Sequence, residues 1–135
     1  MRVHQILVAR LNQALDPFDL TFSRYEGLML LHLSRAGSLP LGKMGTRLQV
    51  HPTSVTNLVD GLEKRGYATR TPHPEDRRTT LATITAKGTK TAARATSVLN
   101  ELRFGTAPLE DDELGTVIEV LTRLRRESGD FLEDV

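Results

Sequence analysis

The chain has 135 residues, of which 39% are hydrophobic, 4% aromatic and none cysteine. That length fits one compact domain, or one with a helical extension, around an aliphatic core, and the missing thiols exclude disulfides, cysteine-held zinc and thiol redox switching. The net charge of +1 conceals a segregation: residues 41–94 carry ten basic and four acidic side chains, whereas residues 101–135 carry four basic and ten acidic.

A polyanion would meet the middle of such a chain and be repelled by its end. No apolar run approaches the roughly 18 residues of a membrane span, and the start lacks an apolar stretch followed by a small-residue cleavage site. The protein is therefore expected in the cytoplasm.

In chain order, Val3, Ile6, Leu7, Leu11, Ala14 and Leu15 share a helical stripe that Pro17 closes. Thr21 or Ser23 is placed to cap the next helix, which runs through Leu28, Leu30, Leu31 and Leu33 to near Gly37. It is apolar on most sides and is expected to be the buried central helix, with His32 as a core histidine. Leu41, Met44 and Leu48 mark a short helix, and Val50-His51 a tight turn. Val55, Leu58, Val59 and Leu62 then mark a second helix over 52–65. Pro52 stands in its first turn, where proline is tolerated. Gly66 ends it after Lys64 and Arg65, whose charges suit the negative end of the helix dipole. Short helix, tight turn, second helix is the helix-turn-helix pattern.

Residues 67–71 and 79–84 are expected to be strands flanking a Pro-rich turn with Arg77 and Arg78 at its tip. Thr85 caps a long helix with Gly88 in its first turn and Val98, Leu99 and Leu102 on its stripe, broken at 105–108. The carboxylates of 110–113 open a last helix at its positive dipole end, with Leu114, Val117, Ile118, Leu121 and Leu124 on one stripe. A chain this small leaves part of that stripe uncovered, and an exposed apolar stripe marks a partner surface. A homodimer built from both chain ends would bury it.

With the apolar face of helix 52–65 turned inward, Thr53, Asn57, Asp60 and Lys64 lie on the opposite face, flanked by Ser54 and Thr56. Small hydroxyls and an amide let a helix sink into a major groove, where asparagine pairs with adenine and a threonine methyl meets thymine. The helix start at Pro52 also favours a phosphate. The competing reading is an ordinary polar face rich in threonine. Arg77 and Arg78 suit a narrow minor groove with its deepened negative potential; alone, they read better as a charged turn kept soluble, with Asp76 pairing an arginine. Together, the helix and the basic hairpin place two readers on one face. The four histidines show no metal-ligand spacing, and no nucleophile–base pair, phosphate loop or carboxylate pair emerges. No catalytic activity, cofactor or metal is expected.

The run from Leu39 to Gly88 resembles the winged helix-turn-helix of the MarR family of bacterial transcription regulators. The resemblance rests on Val55-Thr56-Asn57-Leu58-Val59-Asp60-Gly61-Leu62-Glu63-Lys64-Arg65-Gly66-Tyr67, then Arg70, then Asp76-Arg77-Arg78, then Ile84-Thr85-x-x-Gly88. It implies a fold that is mainly α with a small β-hairpin wing, divided into an N-terminal dimerisation helix (1–20), a winged helix-turn-helix lobe (21–88) and C-terminal dimerisation helices (89–135). It implies an obligate homodimer on a pseudo-palindromic double-stranded DNA operator, and a repressor released by a small aromatic effector. Pro52, Thr53, Ser54, Thr56, Asn57, Lys64, Arg77 and Arg78 are the expected DNA contacts, with Arg78 entering the minor groove and Asp76 positioning it. The chain departs from the family in three places: Gly45 replaces a usual Ala, Gln49 a usual Gly, and His51 a Ser that caps the recognition helix. Its N-terminal helix is also short for the family. The alternative function is a winged-helix protein–protein interaction module that does not bind DNA; the charge of residues 41–94 argues against it.

Overall fold

The computed structural model describes residues 1–130, so the last five positions of the expected dimerisation segment 89–135 lie outside the described residues. Helix α1 (Arg2–Leu15) buries its stripe only near its C-terminal end, at Leu11 and Leu15, while Val3 remains 69% exposed. A single 3-10 turn (Asp16–Phe18) carries Pro17 in its first turn and ends the helix.

Thr21 caps α2 (Phe22–Leu33), its hydroxyl accepting the Arg24 N–H at 3.3 Å. Tyr25, Gly27, Leu28 and Leu31 are buried, as a central helix requires, but Leu33 is 76% exposed and His32 only half-buried, which corrects the expectation of a core histidine. The helix stops at Leu33, short of Gly37: Ser34 is extended, and its hydroxyl donates to the Leu31 carbonyl at 2.7 Å. Gly37, with φ +67°, then turns the chain into a strand that the sequence reading missed, β1 (Ser38–Pro40).

The helix-turn-helix follows as α3 (Leu41–Leu48) and α4 (Pro52–Lys64). The wing strands are β2 (Ala68–Pro72) and β3 (Thr80–Ile84). The expected two-stranded hairpin is thus part of a three-stranded antiparallel sheet in the order β1-β3-β2, with Ala82 of β3 facing Leu39 on one side and Arg70 on the other. Joining β1 to β3 ties the wing to the start of α3, so the wing is a braced edge of the lobe and not a free stalk.

Helix α5 (Ala86–Glu101) begins at Thr85, whose hydroxyl accepts the Gly88 N–H at 2.9 Å. Its buried face is made of small residues, Gly88, Thr91, Ala92 and Ala95, with Leu99 at the far end; Val98 is only half-buried and Leu102 is exposed. Small side chains permit close approach: a Cβ at Gly88 would lie 2.1 Å from the Tyr67 carbonyl oxygen. The apolar core runs continuously from Leu11 and Leu15 through Leu28, Leu31, Met44, Val55 and Leu62 to Leu99.

Helix α6 (Asp111–Glu127) opens with a reciprocal capping box between Glu110 and Glu113, and Arg103 reaches Asp111 at 2.7 Å. None of its residues is buried; Ile118 is 64% and Leu124 61% exposed. Among the described residues, no helix is long and apolar enough to cross a membrane, and no group of three or more His, Cys, Asp or Glu is placed to hold a metal ion.

Candidate nucleic-acid interface

The turn between α3 and α4 depends on Gln49, which adopts the left-handed conformation (φ 55°, ψ 46°) as the C-cap of α3. Asparagine and glycine are the usual residues there, so glutamine carries a local cost, offset by the Val50 N–H donating to Gly45 O at 3.1 Å. The glycine at 45 fits the same turn: a Cβ there would sit 3.1 Å from a methyl of Val55.

His51 is the N-cap of α4. Its Nδ1 accepts the Thr53 N–H at 3.1 Å, and its carbonyl accepts from Ser54 at 2.9 Å and Val55 at 3.1 Å. The imidazole therefore takes the role that a serine oxygen plays at other helix starts. Val55, Val59, Gly61 and Leu62 face the core, and Pro52, Thr53, Ser54, Thr56, Asn57 and Lys64 are exposed. The Thr56 hydroxyl donates to the Pro52 carbonyl at 3.1 Å, which fixes its rotamer and leaves its oxygen as an acceptor.

Asp60 does not share that outward face. It is half-buried and paired with Arg70 of β2, whose guanidinium also lies 3.5 Å from Glu63; the Arg70 N–H donates to Glu63 Oε2 at 3.0 Å. Arg70 therefore neutralises two carboxylates beside the exposed hydroxyl-bearing face of α4 and fastens α4 to the wing. The helical spacing that grouped Asp60 with Asn57 and Lys64 has no means of showing a cross-element partner.

The wing turn is built on Asp76. Its Oδ1 accepts the Arg78 N–H at 3.1 Å and Arg78 Nε at 3.4 Å, and its Oδ2 accepts the Thr79 hydroxyl at 3.4 Å. The His73 N–H donates to Thr79 O at 2.8 Å, and His73 Nδ1 accepts the Glu75 N–H at 3.1 Å. These bonds, the Arg78 backbone N–H first and its side chain second, hold the Asp76 carboxyl below the ordinary aspartate range. The rest of the Arg78 side chain, 93% exposed, projects outward beside exposed Arg77. The wing and the start of α3 enclose a concave surface of about 680 Å³ that includes Leu41, His73 and Arg78. Exposed helix-start hydroxyls, an exposed amide and outward arginines are the residue types that suit the grooves of a duplex.

The sequence model of the MarR family matches residues 22–80. Sco5413, a MarR family transcriptional regulator from Streptomyces coelicolor, has a crystal structure that superimposes with a TM-score of 0.91 at 44% identity, over 97% of this chain and 91% of that one. The chain belongs to the MarR family. Its fold is that of the family's transcriptional regulators, with the wing as a small three-stranded antiparallel sheet. YhbI of Bacillus subtilis, an uncharacterised HTH-type transcriptional regulator, is 36% identical over 81 residues; the chain's match spans 60% of its own length and about half, 51%, of that relative. The Staphylococcus aureus MepR–DNA complex shares the fold at a TM-score of 0.83 and 22% identity, over 93% of each chain.

Proposed function

We propose that this MarR family regulator is a homodimer that binds a pseudo-palindromic DNA operator sequence-specifically and represses transcription until a small effector releases it. The observation that carries the reading is the pairing of a histidine-capped helix, with Thr53, Ser54, Thr56 and Asn57 outward, and a braced wing that presents Arg77 and Arg78. On this reading α4 lies in the major groove, Arg78 enters the minor groove under the control of Asp76, and Arg77 and Lys64 meet phosphates. Pro52 brings the start of α4 against the backbone. The binding lobe is 21–88, and the segments 1–20 and 89–135 form the dimer. Two recognition helices about 34 Å apart reach successive major grooves. MepR, which shares the fold, has been solved in complex with DNA.

A hollow of about 520 Å³, lined by Arg10, Leu11, Ala14, Glu101, Leu102 and Pro108, lies between α1 and the connection from α5 to α6. Its size suits a small ligand, since such pockets measure about 300–1,000 Å³, and a small aromatic effector there would touch the end helices on which the dimer depends.

The test is selection of bound fragments from random duplex DNA by the purified protein, followed by titration of the selected site. A two-fold symmetric consensus bound far more tightly than random DNA is the expected result. Flow-through on random DNA at low salt would instead leave a protein–protein module.

A further inference from the structure

Two aspartates that follow the end helices reach back to the helix-turn-helix. Asp19 stands just after α1 and its 3-10 turn, in the left-handed conformation (φ 53°, ψ 42°). Its carbonyl accepts Arg65 Nε at 2.6 Å, and its carboxylate lies 3.0 Å from the same nitrogen. Arg65 is the C-cap of α4 and also donates to the Gly61 carbonyl at 2.8 Å. Beside this clasp the Tyr67 hydroxyl donates to the Phe18 carbonyl at 2.6 Å. Asp130 stands just after α6, where its carboxylate accepts from the side-chain amide of Gln49 and pairs with Arg125. Gln49 is the C-cap of α3. Each helix of the helix-turn-helix is thus held at its C-terminal end by an aspartate that follows an end helix in the chain.

We propose that Asp19 and Asp130 are positioning residues that fix the angle between the reading lobe and the end helices, and so set the half-site spacing that the dimer accepts. The inference rests on the DNA-binding reading above. A guanidinium is planar and presents its donors in a rigid fork. Held at once by the Asp19 carbonyl, the Asp19 carboxylate and the Gly61 carbonyl, it resists rotation of α4 about the 18–19 turn. The Asp19 backbone conformation is one that glycine adopts at no steric cost, so what the side chain adds at this position is an acceptor for Arg65. The second clasp acts at the other helix and from the other end helix, so the two together oppose both tilt and roll of the lobe. Spacing is the property at stake. Adding one base pair between half-sites turns one of them by roughly 34° and shifts it by roughly 3.4 Å. A lobe clasped at two points cannot follow that change, whereas a lobe held only by its core packing follows it in part.

The experiment uses the full chain and duplexes carrying the selected operator with its half-site separation changed by −1, 0 and +1 base pair. Wild type, Asp19→Gly, Asp19→Asn, Asp130→Ala and the double variant Asp19→Gly/Asp130→Ala are titrated on each, with thermal melting and sedimentation alongside. Wild type is expected to lose at least about tenfold in affinity at either wrong spacing, the scale of a mismatched base pair. Asp19→Gly and Asp130→Ala are expected to shrink that ratio, and the double variant to shrink it further, with the dimer mass unchanged. Asp19→Asn, which keeps a hydrogen-bond acceptor for Arg65, is expected to stay near wild type. A purely structural contribution would lower all three affinities by one common factor and leave the ratio in place; that result overturns the proposal. Absence of any DNA binding by wild type is a different failure, which removes the DNA-binding reading and this inference with it.

Discussion

The imidazole Nδ1 of His51 accepts the backbone N–H of Thr53 at 3.1 Å, so a ring takes the place of a hydroxyl at the start of the recognition helix. Loss of a side-chain cap costs about 1 kcal/mol of stability. His51→Ala is expected to lower the denaturation free energy by about that amount and to weaken operator binding, because Thr53 and Ser54 then sit on a frayed first turn. His51→Ser, with an oxygen in the capping position, is expected to recover both. Urea denaturation and operator titration measure the two effects. A His51→Ala protein as stable as wild type would mean that the bond contributes nothing.

The Asp76 carboxylate organises the wing through the Arg78 backbone first and its side chain second. Its folded value is depressed, so its contribution is fully present above the ordinary aspartate value and is lost as pH falls through the lowered folded value. A carbon-detected titration of Asp76 should therefore show a midpoint below that of a free aspartate. Arg78→Ala removes the guanidinium but keeps the N–H, so the midpoint should rise only part of the way. The same variant should bind the operator more weakly, with a salt dependence shallower by about one phosphate contact. Unchanged operator affinity in a gel-shift titration would take the wing out of the mechanism.

Arg70 neutralises Asp60 and Glu63 at the edge of the candidate interface. An ion pair this exposed contributes about 0–1 kcal/mol to stability, so its larger effect should appear in binding. Arg70→Ala leaves two unpaired carboxylates beside the candidate interface and should weaken binding to specific and random DNA alike. Adding Asp60→Asn to it should restore part of the loss. If the double variant binds no better than Arg70→Ala, the carboxylate charge is irrelevant and Arg70 acts by holding β2 against α4.

Asn57 is exposed on the outward face of α4, and an asparagine can pair with a base edge. Asn57→Ala should cost about 1–3 kcal/mol at one base position and broaden the selected consensus there. Equal losses on operator and random DNA would make it a backbone contact.

The helix-turn-helix and the wing were legible in the sequence because each depends on local signals. Apolar spacing gave α3 and α4, Gly66 gave the end of α4, and Thr85 three residues before Gly88 gave the start of α5. The strand Ser38–Pro40 was not legible: three residues are too few to show alternation, and it exists only because β3 offers it an edge. The packed face of α5 was not legible for a related reason. Close approach to the lobe selects Gly88, Ala92 and Ala95, small residues that make no conspicuous apolar stripe. At the interface the exposed residues of α4 followed from periodicity. The roles of Asp60 and Arg65 did not, since their partners Arg70 and Asp19 stand 10 and 46 residues away.

The apolar stripe of α6 is the feature that the lobe leaves unexplained. Val117, Ile118, Leu121 and Leu124 are all exposed, as are Val3 and Ile6 of α1. Burying such a side chain is worth about 1.5–3 kcal/mol, and in a two-fold interface each residue is buried twice. A carboxylate placed on the stripe meets the opposite sign of energy, because an unpaired charge costs several kcal/mol to desolvate, again twice. Ile118→Glu is therefore expected to raise the dimer dissociation constant by at least about a thousandfold, at about 1.4 kcal/mol per factor of ten. The lobe should keep its thermal melt, since no residue of α6 contributes to its core. Operator affinity should fall steeply while weak binding to a single half-site persists, because α4 and the wing are untouched. Sedimentation equilibrium decides the matter: an Ile118→Glu protein that remains a dimer at the wild-type concentration would place the dimer contact elsewhere on the chain.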